Sequence, residues 1–171
     1  LVCLPHISNA FGVINPINEM IELIKRTNAL IMLDGSQSVP HMMTDVKELD
    51  CDFLVLSGHK MLAPSGIGVL YGKLDLLEKM QPFLKGGDMN QAVYTDSYVL
   101  ADLPGKFEAG TPNIEGAIGL GAAVDYLEGI GMEAGGEHSR RLTGLAIAEM
   151  LQVYKLKVYG PTDSRLRSSS V

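Results

Sequence analysis

Short apolar runs alternating with helical patterns predict an α/β fold, a mainly parallel sheet flanked by helices. Ala29-Leu30-Ile31-Met32-Leu33 and Phe53-Leu54-Val55-Leu56 are apolar throughout, as strands covered on both faces are. Between Leu1 and the first of these runs, a segment opening at Asn15-Pro16 places Met20, Ile21 and Ile24 on one face. Glu19, Glu22, Lys25 and Arg26 lie elsewhere on it, which is the helical period. The Gly-rich turn Pro64-Ser65-Gly66-Ile67-Gly68 then leads into Val69-Leu70-Tyr71, and so short a link predicts an antiparallel partner for the preceding strand.

In chain order, Leu1 to Leu4 reads as a strand end broken by Pro5. The helix from Asn15-Pro16 and the two apolar strands follow, then the Val69–Tyr71 strand and a short helix over 73–80. Residues 84–112 are rich in Gly, Asp and Thr with few periodic apolar positions, and read as a long functional loop. Two helices are expected at Asn113–Gly129 and Met132–Val153. The first carries Gly116, Gly119, Gly121, Ala122 and Ala123, small residues that permit close packing. Leu156–Tyr159 reads as a strand. Residues 1–130 form one α/β body, 131–161 a linking helix and the start of a second domain, and 162–171 a disordered serine-rich tail.

The 171 residues suit one domain or a large piece of one, and 46% hydrophobic content excludes a disordered chain. A net charge of −6 speaks against nucleic acid or an anionic membrane as partner. No apolar stretch is long enough to cross a bilayer. The chain opens at Leu1 without a basic leader, so a fragment or processed chain is expected, with any targeting signal out of view. Cys3 and Cys51 sit in apolar contexts and are expected as buried free thiols of a reducing compartment. No metal-ligand spacing occurs, and Met42, Met43, Met61 and Met80 read as gap-filling core.

The chemistry lies at strand ends. Asp34 closes one apolar run, and Lys60, in Ser57-Gly58-His59-Lys60, follows the next. In open parallel sheets, ligands bind beyond the carboxyl ends of the strands. A lysine and an aspartate there are what pyridoxal phosphate requires: an amine to join the aldehyde, and a carboxylate to meet the ring nitrogen. Asp34-Gly35-Ser36 is also turn chemistry, and a lysine is by default a surface residue. Ser57 and His59 flank a glycine and can both reach one phosphate; a turn serine and a structural histidine are the alternatives. Asn9 and Gln37 follow strand ends and offer amides to the cofactor's phenolic oxygen. His138 reads as solvated, His41 as structural or near the site, and His6 receives no role. Gly66-x-Gly68 and Gly119-x-Gly121 lack the third glycine of a dinucleotide fingerprint, and Gly72-Lys73 is no P-loop.

These residues resemble the middle of a cysteine desulfurase, in the branch of the class V aminotransferases similar to Suf-type desulfurases and selenocysteine lyases. The matching segments are His6-Ile7-Ser8-Asn9, Leu33-Asp34-Gly35-Ser36-Gln37-Ser38-Val39-Pro40-His41, Leu49-Asp50-Cys51-Asp52-Phe53, Ser57-Gly58-His59-Lys60, Gly66-Ile67-Gly68-Val69-Leu70-Tyr71-Gly72 and Phe107-Glu108-Ala109-Gly110-Thr111-Pro112-Asn113. They recur in order from residue 1 to about Pro161.

The resemblance implies a partial large domain of a fold-type I pyridoxal-phosphate transferase over 1–130, with the small domain beginning in 131–161. Lys60 is implied as the Schiff-base lysine and Asp34 as the ring-nitrogen partner. Gln37 and Asn9 are implied beside the phenolic oxygen or substrate, and Ser57 and His59 as phosphate holders. Thr111 is implied to reach the phosphate of a neighbouring subunit in a homodimer, and Gly86-Gly87-Asp88-Met89 resembles a segment near the active-site entrance. The implied reaction turns cysteine, or selenocysteine, into alanine and passes sulfur as persulfide to an acceptor protein in cytoplasmic iron–sulfur assembly, with an organellar site as the variant. Family members are more than twice this length. Their stacking histidine, sulfur-accepting cysteine and carboxylate-binding arginine fall outside this sequence, so the isolated chain is expected to be inactive. A related class V lyase, epimerase or transaminase, and a non-catalytic remnant, are the other readings.

Overall fold

The structure is a computed structural model and describes residues 1–168. Four strands form the main sheet: β1 (Val2–Pro5), β2 (Ile31–Asp34), β3 (Phe53–Ser57) and β4 (Gly68–Gly72), in the order β1-β2-β3-β4. The first two pairings are parallel and β3 pairs β4 antiparallel, as the short Gly-rich link requires. Leu4, Leu33, Leu54 and Tyr71 stand abreast across the sheet. α1 (Ile17–Ile24) lays Ile17 and Ile21 on this face, and with Ile31, Leu33, Cys51 and Leu54 they make the buried core.

Local chemistry sets the ends of these elements. The Asp45 carboxylate accepts the backbone N–H of Lys47 at 2.7 Å and caps the short helix α2 (Val46–Leu49), which ends at Asp50 in the left-handed region. α3 (Leu74–Lys79) follows β4. Asn113 caps α4 (Ile114–Ile130) by accepting the Gly116 N–H at 2.9 Å. Gly131, at φ +85, closes α4 and opens α5 (Met132–Met150).

The structure corrects several expectations. Pro5 belongs to β1 instead of breaking it. β1 lies at an edge of the sheet among the described residues, where a missing N–H is tolerated. β2 and β3 are not covered on both faces. Opposite the core, Cys3, Asp34 and Leu70 are exposed and Met32 and Val55 half-buried, while Phe53 is buried there. Cys3 is therefore an exposed free thiol, and only Cys51 is buried as expected. Within 84–112 a two-stranded hairpin forms, β5 (Asn90–Val93) with β6 (Tyr98–Leu100), followed by a 3-10 turn at Gly105–Phe107. Leu156–Tyr159 forms no strand. The tail is ordered through residue 168: Ser164–Leu166 make a turn, Arg167 bridges Val13, and Arg167 and Ser168 are buried. Residues 169–171 of that expectation lie outside the described residues. Met61 is core, whereas Met43 and Met80 are exposed.

Candidate active site

The parallel strands end on one side of the sheet, and the loops that leave them carry the chemistry. The loop after β1 holds Asn9, the turn after β2 holds Gln37, and a 3-10 turn after β3, Gly58–Met61, holds Lys60. The half-buried Lys60 donates from Nζ to Asn9 Oδ1 at 3.4 Å, and Gln37 Nε2 donates to the same oxygen. Three separate segments thus meet at one amide. Ser57 Oγ and His59 Nδ1 lie 2.8 Å apart at the head of the same 3-10 turn. Asp34 ends β2 beside Val55 of β3, exposed, with Oδ1 accepting the Ser36 N–H at 2.9 Å. The turn role weighed for Asp34 is real, and one carboxylate oxygen serves it.

Close backbone approach holds the lysine turn in place. Gly58 N–H donates to Ile67 O at 2.9 Å, and a Cβ on Gly58 would stand 2.6 Å from Ile67 Cγ2. No larger residue fits before His59-Lys60 without displacing the turn. α4 locks the other side, where a Cβ on Gly119 would meet Pro64 Cδ and Cγ at 2.6 Å. Of the small residues expected to pack closely, Gly119 does so here and Ala123 is buried, whereas Gly121 faces open space, Ala122 is exposed and Gly116 meets only the Asn113 cap.

Of the seven expected site residues, Asn9, Gln37 and Lys60 come together. Ser57 and His59 pair with each other, and Asp34 takes a strand end in the same row of loops. Thr111 stays exposed on the segment leading into α4. His41, left undecided between structure and site, shares a cavity of about 300 Å³ with Lys60, Leu127 and Ile130. Burial pushes its imidazole below the ordinary histidine value, favouring the neutral ring. Sequence reading missed the tether from Asn113 Nδ2 to Gly66 O, at 3.1 Å, which ties the start of α4 to the turn after Lys60. Its only signal was the helix start itself.

His6 is buried with Nδ1 unpartnered among the described residues, and burial lowers its pKa. The strongest charge cluster lies at the other end of β3. Asp50 pairs with Lys25 and Lys73 at 2.8 Å each, which holds its carboxyl down at about 2. Lys73 also meets Asp52 at 3.1 Å and is held above the ordinary lysine range. These charges brace the amino ends of the strands, away from Lys60. No group of His, Cys, Asp and Glu suited to a metal ion occurs among the described residues.

The family description "Aminotransferase class-V" matches residues 1–171. A probable cysteine desulfurase of Halalkalibacterium halodurans is 48% identical over 161 residues, covering 94% of this chain and 40% of that protein. A cysteine desulfurase of Serratia proteamaculans is 44% identical over 164 residues, covering 95% and 40%. Among solved structures, the apo cysteine desulfurase of Thermococcus onnurineus superposes with a TM-score of 0.89 at 37% identity, over 98% of this chain and 42% of that one. The chain thus spans about 40% of the length of the curated relatives it matches. With the model matched from end to end and this fold and row of strand-end residues in place, the chain belongs to the class-V aminotransferase family.

Proposed function

We propose that this chain is the cofactor-holding part of a pyridoxal-phosphate-dependent cysteine desulfurase, which converts cysteine to alanine and passes on the sulfur as persulfide. The observation that carries the reading is the meeting of Lys60, Asn9 and Gln37 at the carboxyl ends of parallel strands. The donor set fits the cofactor. It contains one half-buried amine, a strand-end carboxylate, two amides and a hydroxyl–imidazole pair, all on adjacent loops. Relatives at 44–48% identity described as cysteine desulfurases support the same reading, and a solved structure at 26% identity is described as SspA in complex with cysteine.

When bound, pyridoxal phosphate supplies an electron sink conjugated to the substrate's α-carbon. The residues of this chain would hold and orient it. Lys60 Nζ anchors the cofactor and moves a proton at the amine. Asp34 offers negative charge to the ring nitrogen, and its engagement with Ser36 N–H fixes the carboxylate's direction. Asn9 and Gln37 orient one another and present amide N–H groups to the oxygen side of the ring. Ser57 Oγ and His59 donate to the phosphate. Thr111 completes phosphate binding for a second subunit, so the active unit is a homodimer.

We further propose residues 1–130 as part of the large domain and 131–161 as the linking helix and start of a small domain. The sulfur acceptor is a protein of iron–sulfur assembly. Two free thiols suit a reducing, cytoplasmic setting, and no helix of the described residues is long and apolar enough to cross a membrane. The test is to add pyridoxal phosphate and record the near-visible absorbance of the bound cofactor. Binding is expected, with the band lost in Lys60→Ala. An unchanged band in that variant sinks the assignment of the amine. Sulfide release from cysteine, measured on the full-length gene product, tests the reaction.

A further inference from the structure

Lys106 is a lysine with only 8% of its surface exposed. Its Nζ donates to the backbone carbonyls of Leu77 and Glu78, each at 2.9 Å, and lies 5.0 Å from the centre of the Phe107 ring. Those carbonyls belong to the last turn of α3, the end of a helix where partial negative charge collects and cations are favoured. The amine therefore fastens the segment after the β5–β6 hairpin to the body of the fold.

A second fastening stands seven residues on. Asn113 Nδ2 donates to Gly66 O at 3.1 Å while Asn113 Oδ1 accepts from Gly116 N at 2.9 Å. Gly66, at φ +86, belongs to the turn that follows the Lys60 loop. Between the two fastenings, Gly110 N–H donates to Gly87 O at 2.8 Å, joining the segment to the Gly86-Gly87 loop. Residues 107–112 thus form a strap pinned at both ends, and the exposed Thr111 is on it.

We propose that Lys106 and Asn113 are positioning residues that hold the strap so that the exposed Thr111 hydroxyl is presented to the cofactor phosphate of a second subunit. This rests on the functional reading above. Neither residue touches the cofactor. Each acts through the strap, and Lys106 does so without a carboxylate partner, so only an amine or guanidinium that reaches both α3 carbonyls replaces it.

The test compares pyridoxal phosphate with pyridoxal, which lacks the phosphate, by absorbance titration of the full-length gene product and its Lys106→Met, Lys106→Arg and Asn113→Ala variants. The wild type is expected to prefer the phosphorylated form. Lys106→Met and Asn113→Ala should each weaken pyridoxal phosphate about tenfold while leaving pyridoxal within about twofold, and Lys106→Arg should restore most of the loss. A variant that loses affinity for both compounds equally, or for neither, overturns the proposal. Should Lys106→Met fail to fold, Asn113→Ala decides alone, because it removes the second fastening and leaves Lys106 in place. A wild type that binds neither compound sinks the functional reading; a wild type that binds well with unaffected variants sinks only the positioning role.

Discussion

Lys60 and Asn9, 51 positions apart in sequence, meet at 3.4 Å, and the same Asn9 oxygen accepts from Gln37. One neutral amide therefore touches the amine without adding charge beside it. Asn9→Asp keeps the shape and puts a carboxylate there. Opposite charge at that range favours the ammonium form and removes the lone pair that attacks an aldehyde. Capture of pyridoxal phosphate at neutral pH should slow about tenfold, a loss on the order of 1.4 kcal/mol after solvent screening. Stopped-flow absorbance measures it, and raising the pH should recover the rate. Equal rates for the two proteins would show that Asn9 does not face the reacting amine.

Gly119 carries the contact between α4 and Pro64, where a Cβ would sit at 2.6 Å from two ring carbons. A proline ring cannot rotate out of the way. Gly119→Ala gains up to about 1 kcal/mol of helix propensity but overpacks by about 1–3 kcal/mol. A net loss of stability is expected in urea unfolding, where a gain would show that the helix stands off the lysine loop.

The two thiols should react at very different rates. Cys3 is exposed on the uncovered face of β1, while Cys51 is fully buried and burial pushes its thiol above the ordinary cysteine range. A disulfide reagent should modify one equivalent quickly and the second only under denaturing conditions. Cys3→Ser should abolish the fast phase. Rapid modification of both thiols in the folded chain would contradict the packing of Cys51 under α1 and α2.

Asp50 provides the acid sensitivity. Lys25 and Lys73 hold its carboxyl down at about 2, below the unfolded value near 4. A depressed carboxyl stabilises the fold above the unfolded value, and that contribution is lost as pH falls from about 4 through about 2. Both partners are exposed enough for water to screen them, so the contribution is at most about 1 kcal/mol. Asp50→Asn keeps a residue that tolerates the left-handed backbone at φ +47. It should lower stability by about 0.5–1 kcal/mol at neutral pH and approach the parent near pH 2. Added salt should shrink the gap; a difference independent of pH would remove the ion pair from the account.

Much of the sheet was legible because its signals are local. Unbroken apolar runs marked β2 and β3, and a Gly-rich turn too short for a crossover marked β4 as antiparallel. Asn15-Pro16 and Asn113 marked helix starts, close to where α1 and α4 begin. The β5–β6 hairpin was not legible. Its strands are four and three residues long, largely exposed, and set in polar sequence with no two-residue turn signal. The Leu156–Tyr159 strand failed for a related reason. Apolar β-formers make a strand only where a neighbouring strand accepts their hydrogen bonds, and among the described residues none does.

By itself, the sequence determined which residue types stand at each strand end: an aspartate after one apolar run, Ser-Gly-His-Lys after the next, and amides beyond two of them. Those assignments follow from hydrophobic pattern and turn chemistry, which act over a few residues. Only the tertiary structure decided which of these groups touch. Parallel pairing of β1, β2 and β3 brings Asn9, Gln37 and Lys60 together. The crowding of Gly58 against Ile67 and Gly119 against Pro64 sets the turn that aims the lysine. Lys106 on the α3 carbonyls fixes the strap bearing Thr111. Such contacts join residues dozens of positions apart, and close packing in three dimensions selects them where no local pattern does.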